Sequence, residues 1–132
     1  MLMPLRLSLH LNLVQYLHVN FVAKIRVVMS RIEQLRSFIV DDPKDIFSKY
    51  ALALEYAANE MIEEAIVELC KLKEIESDYL PLYYQLGKLF EKSGNILLAI
   101  DAYQAGIPIA QTQKNTKTLS ELKSALEQLQ ED

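Results

Sequence analysis

At 132 residues the chain has room for one domain with a modest core and not for two independent ones. It has no tryptophan, three glycines and four prolines, a usage that favours helices over a turn-rich sandwich. The net charge of −4 is uneven: residues 1–28 hold Arg6, Lys24 and Arg26 and no acid, leaving 11 basic against 18 acidic residues in the rest, and an acidic body with scattered lysines excludes nucleic acid, whose phosphates need a clustered basic face.

The first recognisable pattern is LRLSLHLNL, Leu5 to Leu13, with a leucine at every second position. That is the period of a strand, one apolar face opposite Arg6, Ser8, His10 and Asn12. Polar residues interrupt the run too often for a membrane-spanning helix, and no small-x-small cleavage site follows for a secretory signal. Ser30 followed by Glu33, just ahead of Ile32, Leu35 and Ile39, is a capping box that predicts a helix start, with Met29 immediately before it. Residues 1–28 are accordingly expected to be a non-domain extension, from an upstream start or disordered, and 29–132 the helical domain. An associating segment and a targeting segment are the other readings of 1–28.

Helices follow at Arg31 to Val40, Asp45 to Ala58, Met61 to Ile75, Tyr79 to Ser93, Ile96 to about Ala110 and Thr118 to Leu129. Asp41, Asp42 and Pro43 should end the first and begin the second, with aspartate at the cap and proline in the first turn. Asn59–Glu60 and Gly94–Asn95 are the tight corners, and Pro108 beside Gly106 should kink or stop the fifth helix. The expected fold is all-α. Cys70 is the sole cysteine, so there is no intrachain disulfide or cysteine zinc site, and a reducing, cytoplasmic setting suits it.

A shift of 34 residues aligns the second and third helices with the fourth and fifth without a gap: Tyr50 meets Tyr84, Leu52 meets Leu86, Ala53 meets Gly87, Tyr56 meets Phe90, Ala65 meets Ala99 and Leu69 meets Tyr103. The second copy, YYQLGKLF followed by AIDAY, resembles the tetratricopeptide repeat: Tyr83 stands where the family has tryptophan, then come Leu86, Gly87, Phe90, Ala99 and Tyr103. The resemblance implies a right-handed superhelical stack of antiparallel helix pairs, about six helices, with repeats at 46–79 and 80–113. A half-repeat helix precedes them and a capping helix at about 118–129 follows. With two extra loop residues, Leu119, Leu122 and Leu126 take the large positions of that last helix and Lys123 the small one. Lys49 takes the aromatic position of the first copy, leaving that wedge thin or covered by the lysine's methylenes with its ammonium in water. Ser77 and Gln111 replace the terminal proline.

No enzyme is indicated. Both histidines, His10 and His18, fall in the extension, and Cys70 has no basic partner in the local sequence. Glu60, Glu63, Glu64 and Glu68 read as a solvated helix face rather than a metal cluster. No catalytic, cofactor or metal residues are expected. In the family, the first helix of each repeat lines a concave groove, and the resemblance places Phe47, Tyr50, Ala51, Leu54, Tyr84, Gln85, Lys88 and Lys92 there. The expectation is a protein-interaction module that holds a partner peptide or helix in this groove. The tyrosines could instead pack partly under the terminal helices. The family's clamp for a C-terminal carboxylate is not supported, because Tyr50, Leu54 and Gln85 occupy positions where it uses lysine and asparagine. Two alternatives are a structural homodimer through Phe47, Tyr50, Leu54 and Tyr84, and a membrane-associated factor anchored by Leu5 to Phe21, the core domain itself having no membrane role.

Overall fold

The computed structural model describes residues 5–131. Six helices follow one another: α1 (Leu5–Asp41), α2 (Ile46–Ala58), α3 (Ile62–Ile75), α4 (Pro81–Lys92), α5 (Ile96–Thr112) and α6 (Thr116–Gln130). Each packs on its neighbours in sequence, and α4 also touches α6. Among the described residues there is no strand.

The 34-residue register is visible in burial. Leu52 and Leu86, Ala65 and Ala99, and Leu69 and Tyr103 are all buried. Ala53 is buried like its counterpart Gly87. The corners repeat as well: Glu60 and Gly94 both adopt the left-handed conformation, at φ 58° and 82°. At each, the next amide reaches back five residues, Met61 N to the Tyr56 carbonyl at 2.9 Å and Asn95 N to the Phe90 carbonyl at 2.8 Å, the bond of a Schellman ending. One core cluster joins α1 to α4 through Ile32, Tyr56, Leu69, Leu72 and Leu82. A second joins α5 to α6 through Ala99, Tyr103, Ala110 and Leu122.

Lys49 is more specific than its sequence suggests. The Tyr83 hydroxyl donates to the Ser77 carbonyl at 2.5 Å, and the Lys49 ammonium donates to the Pro43 carbonyl. Both partners lie six residues upstream and 34 residues apart, so the lysine repeats the tyrosine's hydrogen bond instead of leaving its charge in water alone.

Five sequence expectations change. The segment with strand-period leucines, Leu5 to Leu13, is helical, and α1 runs through Ser30 and Glu33 without a break. A lone strand has nothing to pair with among these helices, whereas a helix satisfies its backbone within itself. No glycine or proline interrupts the chain from Leu5 to Asp42, so propagation from the packed part costs little.

The cap of α2 is Asp45, not Asp41 or Asp42, and Pro43 lies before the helix. Asp45 accepts from the Ser48 amide at 3.0 Å and also from the Ser48 hydroxyl. Ser48 is buried, which makes Asp45 its nearest means of satisfaction. Asp42 instead closes a local turn by accepting from the Lys44 amide at 3.0 Å.

Helix α4 begins at Pro81 rather than Tyr79, because proline's fixed φ and missing N–H suit the first turn. That leaves Tyr79 outside the helix, where its ring meets Tyr50. Helix α5 continues through Pro108 to Thr112. The carbonyl that loses its donor belongs to Gln104, which is exposed and open to water, while Tyr103, Gly106 and Ala110 hold the opposite face in the core.

Candidate partner-binding groove

The groove positions lie on α2 and α4, with their counterparts on α6. Tyr50 and Tyr84 occupy the same place in successive repeats and are both half-buried. Tyr50 meets Tyr79 edge-on, with ring centroids 5.2 Å apart. Burial raises the Tyr50 phenol above its usual range, Tyr79 adds to this, and the neighbouring Gln85 amide pulls the other way. Tyr50 and Gln85 are therefore brought together between α2 and α4. Phe47 is 76% exposed and Leu54 37%, so the α2 end offers apolar surface to solvent. Ala51 lies half-buried between them.

On α4 the Lys88 ammonium sits 5.9 Å from the Tyr84 ring centroid and 3.4 Å from the Glu91 carboxylate. Glu91 also accepts from the Tyr103 hydroxyl, and the Tyr103 ring lies 6.0 Å from that of Tyr84. Burial first, then the hydrogen bond to Glu91, push the Tyr103 phenol far above its ordinary range. The tyrosines are thus backed by Tyr79 and Tyr103. Lys92 stands apart from this cluster and pairs across the corner with Glu60 at 3.6 Å.

Sequence reading missed the third tier. A cleft of ≈ 290 Å³ lies between Tyr84 and Lys88 on one side and Ser120, Glu121, Ser124 and Gln128 of α6 on the other. These four residues are 36 positions beyond Tyr84, Gln85, Lys88 and Lys92. The same two-residue offset that aligns Leu119, Leu122 and Leu126 would have found them. The face formed by α2, α4 and α6 therefore grades from apolar through aromatic and basic to polar.

Elsewhere, no group of three or more His, Cys, Asp or Glu side chains among the described residues is placed to hold a metal. Burial raises the Cys70 thiol, the opposite of what a nucleophile needs. No described helix is long and apolar enough to cross a membrane.

No family model matches the chain. A tetratricopeptide repeat domain protein from Salinibacter ruber, solved by solution NMR, is 39% identical, with a TM-score of 0.63 over 67% of this chain and 89% of that one. The chain belongs to the tetratricopeptide repeat family. A second likeness is to anaphase-promoting complex subunit 3 of Dictyostelium discoideum, 32% identical over 82 residues, which are 62% of this chain and 8% of that protein. A Bordetella parapertussis protein of known solution structure shares the fold with a TM-score of 0.67 at 22% identity, over 76% of this chain and 87% of that one. The 34-residue period and the Gly87 position match this family's repeat, here in six helices among the described residues.

Proposed function

We propose that this tetratricopeptide repeat protein is a non-catalytic interaction module that holds a partner peptide or helix along the face of α2, α4 and α6. The observation that carries the reading is the repetition of the face. Tyr50 and Tyr84 stand at equivalent places, each braced by a second tyrosine ring, and exposed Phe47 and Leu54 extend the apolar end. Braced aromatics lose little side-chain freedom on binding, which is what an anchor requires. The ion pairs of Lys88 and Lys92 are part-exposed, so they are weak and can be exchanged for a partner's carboxylate. The occupant that fits has apolar side chains at the α2 end and an acidic residue near α4. The likeness to an anaphase-promoting complex subunit is consistent with a protein partner, although the chain spans only 8% of that subunit's length.

The test is affinity capture of a partner with the full chain, followed by calorimetry of variants. Tyr50→Ala and Tyr84→Ala should each weaken binding by about 2 kcal/mol if they are hot spots, and Lys88→Glu should act mainly on association rate and salt dependence. Glu64→Ala and Lys71→Ala, on exposed positions of α3, should leave binding unchanged. Binding that survives the first set and fails with the second would move the site to the other face.

A further inference from the structure

Helix α1 is more than twice as long as any other described helix, and only its second half packs on the body. Ile32 is buried, with Val28, Leu35 and Ile39 partly buried beside it. Residues 12–27 are exposed throughout, an overhang of about 24 Å at the helical rise. The packing stripe does not stop where the body stops. Steps of three or four residues back from Ile39, through Leu35, Ile32 and Val28, arrive at Ile25, Phe21, Leu17 and Val14, the spacing of one helix face. Their exposures are 46%, 63%, 57% and 50%. The seam parts gradually, leaving a cleft of ≈ 320 Å³ lined by Phe21, Ile25, Val28, Met29 and Met61 among others.

We propose that the overhang is the interface of a two-fold homodimer in which two α1 helices pack antiparallel, Leu17 of one copy on Phe21 of the other and Val14 on Ile25. The stripe is self-complementary in the way such an interface demands. Val14 and Ile25 lie almost equally far from a point between Leu17 and Phe21, so a two-fold axis there lays the stripe on its own copy. Charge selects the direction. Lys24 and Arg26 are the only charged residues from Asn12 to Ser30, and parallel packing would set each beside its own copy. Antiparallel packing sets them opposite the uncharged stretch Asn12 to Val14 of the other chain. The surface is distinct from the groove, so the dimer stands or falls independently of partner binding.

Light scattering on the full chain at a concentration on the order of 100 µM, suited to a short interface, should give about twice the 15.2 kDa chain mass. Phe21→Lys and Leu17→Glu should each return the mass to that of one chain with circular dichroism of the body retained, since both side chains are more than half exposed. Tyr50→Ala and Tyr84→Ala should leave the dimer intact. With Cys70→Ser as background, mixing Leu17→Cys and Phe21→Cys chains should form the mixed disulfide in preference to either homodisulfide. A monomeric full chain, a dimer unaffected by Phe21→Lys, or a preference for the homodisulfides would overturn the proposal. So would a monomer that floats with phosphatidylcholine–phosphatidylglycerol vesicles, which would assign the overhang to a lipid surface.

Discussion

The ring of Tyr103 fills the space that a side chain at Gly87 would need: a Cβ built there would lie within 2.6 Å of ring atoms Cδ1 and Cζ, and closer still to Cε1. One repeat earlier the same pair is Ala53 and Leu69, both buried. The repeat conserves the summed bulk at this helix contact and divides it differently, small with large in one copy and smallest with largest in the other.

That relationship predicts coupling. Gly87→Ala should destabilise by about 1–3 kcal/mol through overpacking. Tyr103→Leu in the same chain should recover part of the loss by recreating the pair found in the first repeat, beyond what the two single changes sum to. Denaturant unfolding of the four-chain cycle measures it, and strict additivity would contradict the close contact.

Glu60 adopts the conformation that its counterpart Gly94 adopts without a Cβ penalty. Glu60→Gly should therefore stabilise the corner by about 1 kcal/mol. The part-exposed pair with Lys92 that is lost is worth less than that. A rise in the midpoint of thermal unfolding checks the prediction, and Lys114→Gly, at φ 57°, should behave likewise.

Stability should fall in alkali. Burial raises the phenols of Tyr50, Tyr79, Tyr83 and Tyr103 above 10.0 in the folded chain. A group whose folded value is raised contributes stability that is complete below its unfolded value and is lost as pH climbs beyond it. The decline should begin near pH 10, and Tyr103→Phe should make it shallower. Ultraviolet titration of phenolate should show Tyr103 ionising last, together with unfolding.

The Asp45 cap gives the opposite dependence. Its carboxylate is held below 3.8 first by the Ser48 hydroxyl and then by the Ser48 amide. This contribution is complete above the unfolded value and is lost as pH falls through the folded one. Asp45→Asn keeps a capping acceptor and should flatten the acid limb of melting temperature as pH falls below 3.8. An unchanged limb would show that other carboxylates dominate it.

The periodic features were legible in the sequence because they depend on local spacing. The 34-residue register, the small residues Ala53, Gly87 and Ala99, and the corners at Glu60 and Gly94 each follow from side-chain size or backbone conformation at one position. Most of the candidate groove was legible through the same register. Its α6 tier was missed because Ser120, Glu121, Ser124 and Gln128 are polar and carry no apolar or aromatic signal of a docking face, and the braces Tyr79 and Tyr103 because their roles depend on where neighbouring helices end. Competitions between alternatives of similar local merit were settled only in three dimensions. The Leu5 to Leu13 alternation favours a strand, but a strand needs a partner and the helical body offers none. Ser30 and Glu33 could cap a helix, but a cap matters only where the helix is free to end. Asp42 and Asp45 could each start α2, and the buried Ser48 chose Asp45. Pro108 could stop α5, but its cost falls on a solvated carbonyl while the buried face on the other side keeps the helix whole.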